Sequence, residues 1–243
     1  MRILGVCSYK GTNYYGWQKQ IGFVSVESTI EGCLSQIYNS EINIVGSGRT
    51  DAGVHALKQY FHYDTDKEKD LDQLAYSLNK MLPEDIKILS LEKVKDDFHA
   101  RYSAKKKIYQ YRIVLKNKDP LLYDQAWVYP MDFDFGLFAQ ALKRFEGVHN
   151  YQDFTSKEED ENGFVREIYE IKMQRMNDEI LVLFIGNGFM RYQIRNMIGS
   201  AVAVASKKEE LNFINRHLDS QKREIISYKS PACGLYLVDV LYK

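Results

Sequence analysis

The order of strand-like and helix-like stretches constrains this 243-residue chain most, because that order runs through once and then returns. RILGVCSY, residues 2–9, reads as a strand. SVESTIEGCLSQIYN, 25–39, places Val26, Ile30, Leu34 and Ile37 on one helical face. INIVG, 42–46, is a short strand, and VHALKQYFHYDTD, 54–66, is a long one rich in aromatic and aliphatic residues. Leu71 to Met81 is helical, with Leu71, Leu74, Leu78 and Met81 facing inward and Pro83 ending the run. Strands follow at about 86–95 and 107–116. The order then resumes. DFDFGLFAQALKRFEG, 132–147, is an amphipathic helix carrying Phe135, Phe138, Leu142 and Phe145 and closed by Gly147. VREIYEIKMQRM and EILVLFIG alternate as strands. Gly188 to Ala205 reads as a long helix with Ile194, Met197, Ile198, Ala201 and Ala205 on its apolar side. A short helix, 207–218, and a last strand, 233–242, complete the chain. This mixture predicts an α+β fold with largely antiparallel sheets, in two roughly repeated halves, 1–104 and 105–243.

Such a length buries a substantial core. No apolar run approaches the ~18–20 residues of a membrane span, and the N-terminal stretch meets glycine and lysine too early for a signal peptide. Cys7, Cys33 and Cys233 are far apart, odd in number and without metal-ligand spacing, so a reducing, cytoplasmic compartment is expected and no metal is. The 33 basic and 33 acidic side chains cancel. Net charge governs steering, not the presence of a local basic face. Arg49, Arg101, Lys105, Lys106, Lys107, Arg112, Arg191 and Arg195 sit near the motifs below, while acids gather at Asp64–Asp72 and Glu158–Glu161. That segregation is compatible with RNA, and some of the 18 tyrosines could stack on bases.

Chemistry concentrates in SGRTDAGVHA, Ser47–Ala56, with glycines at Gly46, Gly48 and Gly53. Glycines there disfavour a helix or strand and suit a loop that brings its backbone near a ligand. Asp51 is either a turn former or a carboxylate nucleophile or base. The second role needs a cation to keep it ionised, for which Arg49 and Arg195 are candidates. His55 reads as a buried strand histidine. Tyr109 and Tyr111, two apart, share one side of a strand, where Tyr109 is either sheet packing or a stacking platform.

GRTDAGVHA closely resembles the active-site motif of the TruA family of tRNA pseudouridine synthases. YKGTNYYGWQ, 9–18, resembles that family's opening loop, and FHARYSAKKKIYQYRI its Phe-His-Ala-Arg segment and active-site tyrosine strand. GNGFMRYQIRNMIG and PACGLYLVDVLY resemble its glycine-then-helix motif and its C-terminal strand. The five occur in family order over nearly the whole chain.

The resemblance implies a central RNA-binding cleft between two α+β halves, with Asp51 as the catalytic aspartate. It implies that Arg49 and Arg195 line the pocket, Arg195 pairing with the aspartate, that Tyr109 stacks on the target uracil, and that Leu235 walls the base pocket. It further implies isomerisation of uridine to pseudouridine in the anticodon stem-loop of tRNA, by a homodimer needing no small-molecule cofactor, metal or membrane. The same reaction on ribosomal or other structured RNA is the alternative. An RNA-binding protein without turnover would be expected to have lost this residue set, and a glycosidase would want a second carboxylate. Asn150 stands where the family pattern has an aspartate, and the acidic run 158–161 falls in a loop where an RNA-facing surface would be expected.

Overall fold

The computed structural model describes residues 1–116, 119–159 and 163–243, so the end of the acidic run 158–161 lies outside the described residues. In chain order the elements are β1 (Arg2–Tyr9), α1 (Val26–Tyr38), β2 (Val45–Gly46), β3 (His55–Asp64), α2 (Leu71–Met81), β4 (Ile86–Val94), β5 (Lys106–Leu115), β6 (Trp127–Tyr129), α3 (Phe135–Lys143), β7 (Gly147–Asn150), β8 (Val165–Met176), β9 (Glu179–Gly186), α4 (Gln193–Ala205), α5 (Asn212–Leu218) and β10 (Leu235–Leu241). They form two compact units, Met1–Lys105 with Tyr236–Lys243, and Lys106–Leu235. The fold is α+β, and the strand pairs within each unit are antiparallel except for β10 with β3 and β6 with β5.

In the first unit the strand order is β4-β1-β3-β10, with the short β2 also on β3. β1 is buried at nearly every position, as expected of a strand hydrogen-bonded on both edges and packed on both faces. α1 begins in a reciprocal cap: the Ser25 Oγ accepts from the Ser28 N–H, and the Ser28 Oγ accepts from the Ser25 N–H. It stops at Asn39, which turns left-handed at φ 46°. Val26, Ile30 and Leu34 are fully buried, and each contributes about 1.5–3 kcal/mol over its exposed state. α2 is capped by the Asp70 carboxylate, which accepts from the N–H groups of Asp72 and Gln73. Only Leu74 and Leu78 of its apolar stripe are fully buried. Leu71 is half-buried and Met81 is exposed, because the helix ends there and Leu82 turns into the core instead.

In the second unit the order is β5-β9-β8-β7, with β6 on β5. β8 and β9 form a hairpin closed by Asn177 and Asp178 between the paired Met176 and Glu179. Asn177 takes φ 54°, which a tight two-residue turn demands. β9 alternates, burying Ile180, Val182 and Phe184. α3 and α4 pack together. α3 runs only from Phe135 to Lys143, shorter than its apolar pattern, because the Asp134 carboxylate caps it from the Leu137 N–H and residues 147–150 become β7. α4 begins at Gln193, not at Gly188, because Tyr192 adopts φ 64° and cannot continue a right-handed helix backwards. It is buried on every face, not one: Arg195 is its only residue that is not buried. α5 starts at Asn212, after a left-handed Lys207 at φ 58°.

Candidate active site

The loop carrying Asp51 leaves β2 at Ser47 and enters β3 at His55. Its start is pinned by side chains. The Ser47 N–H donates to the Tyr60 carbonyl, the Ser47 hydroxyl donates to Gln59 Oε1, and the Gln59 amide donates back to the Gly48 carbonyl at 2.9 Å. Its centre is pinned by the opening loop, residues 9–18. The Trp17 N–H donates to the Thr50 carbonyl at 3.2 Å, and the Gly53 N–H donates to the Tyr14 carbonyl. The hydroxyls of Tyr9 and Thr50 share a hydrogen bond at 2.8 Å. The Val54 N–H donates to the Asp51 carbonyl, closing a turn through Gly53 at φ 78°. Asp51 is half-buried on this clamped backbone, and Arg49, two residues earlier, is exposed.

The approach of the two loops is close. Gly16 sits at φ 82°, and a Cβ there would lie 2.4 Å from the Thr50 carbonyl oxygen and 3.1 Å from the Asp51 carbonyl carbon. Only glycine fits both demands. His55 is buried as expected: its Nδ1 accepts from the Gly11 N–H at 3.0 Å, and its ring stacks on Tyr236 of β10 at 4.6 Å. That nitrogen is therefore unprotonated, and the histidine links the opening loop to the strand behind Asp51.

The second unit holds the other three residues read from the sequence. Tyr109 lies on β5 opposite Phe184, is 7% exposed, and meets the ring of Phe189 edge-on at 5.3 Å. Tyr111 is fully buried on the same strand, and its hydroxyl donates to the Pro231 carbonyl at 2.8 Å. Burial pushes that phenol's pKa up, so it stays a neutral donor. Arg195, on the first turn of α4, donates from Nε to the Ser230 carbonyl at 2.8 Å. Leu235 is buried at the start of β10. Asn150 accepts from the Gln152 N–H through its side-chain oxygen, a local turn that needs only an acceptor.

Two further clusters escaped the sequence reading. In the first unit the His62 and His99 rings meet at 4.8 Å; His62 Nδ1 accepts from the Ala100 N–H, and His99 Nδ1 accepts from the N–H groups of Arg101 and Tyr102. Burial, then the Arg2 and His99 charges, lower the His62 pKa to about 4. In the second unit Tyr192 is ringed by Arg191, Arg195 and Lys229. The left-handed Tyr192 leaves no periodic trace, and Lys229 reaches it from a segment far along the chain. Among the described residues no group of three or more His, Cys, Asp or Glu side chains is placed to hold a metal ion, and no helix is long and apolar enough to cross a membrane.

A family model described as tRNA pseudouridine synthase matches residues 6–103 and 141–243. A tRNA pseudouridine synthase A from Exiguobacterium sp. is 36% identical over 242 residues, covering 100% of this chain and 98% of its own. The proteins of that name from Mycoplasmoides gallisepticum and a Geobacillus species are each 35% identical, covering 97% and 99% of this chain and 89% and 98% of their own.

Proposed function

This chain belongs to the tRNA pseudouridine synthase family, and we propose that it isomerises uridine to pseudouridine in the anticodon stem-loop of tRNA with Asp51 as its catalytic carboxylate. The observation that carries this reading is the setting of Asp51. The carbonyls of Thr50 and Asp51 are both engaged, by Trp17 and Val54, so the carboxylate projects from a backbone fixed before substrate arrives. Fixed placement of a reacting group is a main source of rate.

The reaction breaks the uracil N1–C1′ bond, turns the base over and joins C5 to C1′. The C5 proton leaves and N1 gains one, so atoms balance within the substrate and solvent. Asp51 either attacks C1′ to give a glycosyl ester or removes a sugar proton to give a glycal. Both routes need it ionised, and Arg195 is the proposed counter-ion. Extracting the uridine from its stack costs a few kcal/mol. Tyr109 returns about 1–3 kcal/mol as a stacking platform, Leu235 walls the base, and the exposed Arg49 fills the vacated stack. The Tyr109 hydroxyl takes the C5 proton directly or through water. Three cysteines without disulfides or metal-ligand spacing and a tRNA substrate support a cytoplasmic site of action, and family resemblance supports a homodimer, which light scattering on the purified protein would test.

The test uses unmodified tRNA transcripts and ribosomal RNA fragments labelled with tritium at uracil C5. Wild-type protein is expected to release tritium from the anticodon arm, and Asp51→Ala to release none while retaining RNA affinity. Release from ribosomal RNA alone would overturn the substrate, and substantial turnover by Asp51→Ala would overturn the role of the carboxylate.

A further inference from the structure

Tyr192 occupies a backbone region that bulky residues rarely visit, at φ 64° and ψ −2°. A conformation of this kind persists where the surroundings over-determine it, and it marks places where a side chain is being aimed. Three cations surround this ring: Lys229 Nζ at 4.5 Å from its centroid, the Arg191 guanidinium carbon at 4.8 Å and that of Arg195 at 5.1 Å. No two of these charges can then be farther apart than about 10 Å, one Debye length at 0.1 M salt. Arg191 and Lys229 are exposed. Among the described residues, neither has a carboxylate oxygen within ion-pair distance.

The cluster is built, not incidental. An Arg191 Nη donates to the Tyr192 hydroxyl at 2.9 Å, and the Thr155 hydroxyl donates to the Arg191 carbonyl at 3.0 Å, fixing side chain and backbone together. Lys229 is carried by a strap that runs along α4. The Ser230 N–H donates to the Arg195 carbonyl at 3.0 Å, and Arg195 Nε donates back to the Ser230 carbonyl. Gly199 lets the strap close, since a Cβ there would meet the Tyr228 carbonyl oxygen at 2.7 Å. The first turn of α4 contains no acidic side chain to neutralise the group.

We propose that Arg191 and Lys229, gathered around Tyr192, hold one phosphodiester of the substrate RNA, an inference that rests on the RNA substrate proposed above. Like charges held this close favour an anion between them. A planar guanidinium fork beside a compact ammonium matches a phosphate's tetrahedral oxygens. The whole chain has a formal net charge of zero, so attraction to RNA has to come from such local clusters and not from the total. Because Arg195 carries Lys229 through the Ser230 exchange, a phosphate bound here positions the strand relative to the same α4 turn that presents Arg195.

The experiment measures affinity of the full chain for an unmodified tRNA transcript by fluorescence anisotropy across a series of KCl concentrations. Each phosphate contact contributes roughly 0.7–0.9 to the slope of log affinity against log salt. Arg191→Gln/Lys229→Gln is expected to weaken binding about tenfold at 100 mM KCl and to make the slope shallower by about one. Lys80→Gln/Lys87→Gln removes the same charge from exposed positions of the first unit and is expected to keep the wild-type slope. Tyr192→Leu, which removes the ring that gathers the cations, is expected to lower the slope as the double variant does. A double variant with wild-type affinity and slope overturns the proposal, as does a control that falls by the same amount. Wild-type protein that neither binds tRNA nor releases tritium would instead overturn the substrate reading beneath it, whatever the variants do.

Discussion

Replacing Gly16 with alanine tests whether the opening loop sets the position of Asp51. Two effects are superposed at this glycine. Its φ of 82° is left-handed, and a residue with a Cβ pays about 1–2 kcal/mol there. In addition the new Cβ would stand 2.4 Å from the Thr50 carbonyl oxygen, 3.1 Å from the Asp51 carbonyl carbon and 3.2 Å from the Ala52 nitrogen. Ordinary contact begins near 3.4 Å, and every atom met is backbone, so the loop has to retreat by about an ångström. Overpacking of this kind costs about 1–3 kcal/mol, and an ångström of misplacement at a reacting group can cost up to about 100-fold in rate. Gly22 supplies the control. It has the same φ of 82° but nothing within 4 Å of a built Cβ, so Gly22→Ala is expected to lose only the conformational 1–2 kcal/mol and keep its turnover. Urea unfolding of both variants, with tritium-release rates measured where both are folded, separates the two effects. Gly16→Ala is expected to be less stable than Gly22→Ala and 10- to 100-fold slower. Equal turnover in the two variants would refute the idea that this contact places the carboxylate.

Two other outcomes follow from single side chains. Tyr109→Phe keeps the ring that meets Phe189 and removes the hydroxyl; if the hydroxyl takes the C5 proton, tritium release slows while tRNA affinity by anisotropy is unchanged, and an unchanged rate argues against the proton role. His62 is buried neutral, with a pKa lowered to about 4, facing Arg2, His99 and Asp64. Its unfolded value is near 6.5, so above that pH it has no effect on stability; between about 6.5 and 4 the unfolded chain binds a proton that the fold refuses. Stability is therefore expected to fall by up to about 2 kcal/mol between pH 7 and pH 5, read as the urea midpoint, and His62→Gln is expected to flatten that fall.

Periodic elements were legible because their signal is local. β8 and β9 stand where alternation placed them, and α2 spans Leu71 to Met81 as its apolar spacing required. Errors came where a single backbone choice overrode a pattern. The stretch from Gly188 to Ala205 is helical in composition, yet Tyr192 turns left-handed and the helix starts one residue later. Met81 has the right spacing for the core, but the helix ends beneath it. The glycines around Asp51 announced a loop that presents one acid. What holds that loop did not announce itself, since Tyr9 meets Thr50 across 41 positions and Gly11 meets His55 across 44. Contacts at such separation have no period to detect.

α4 serves both packing and display. A helix buried on every face has no side left from which to offer charged groups, and α4 leaves only Arg195 partly uncovered. Display is then possible only where the helix begins. The left-handed turn at Tyr192 ends the buried run abruptly, so Arg191 falls outside the core, and the reciprocal bonds of Arg195 with Ser230 bring Lys229 beside it. A right-handed residue at 192 would extend α4 backwards and carry Arg191 around its axis by about 100° per residue. One unfavourable backbone conformation thus sets a rigid, outward-facing pair of cations beside the start of a helix in which every residue but Arg195 is buried.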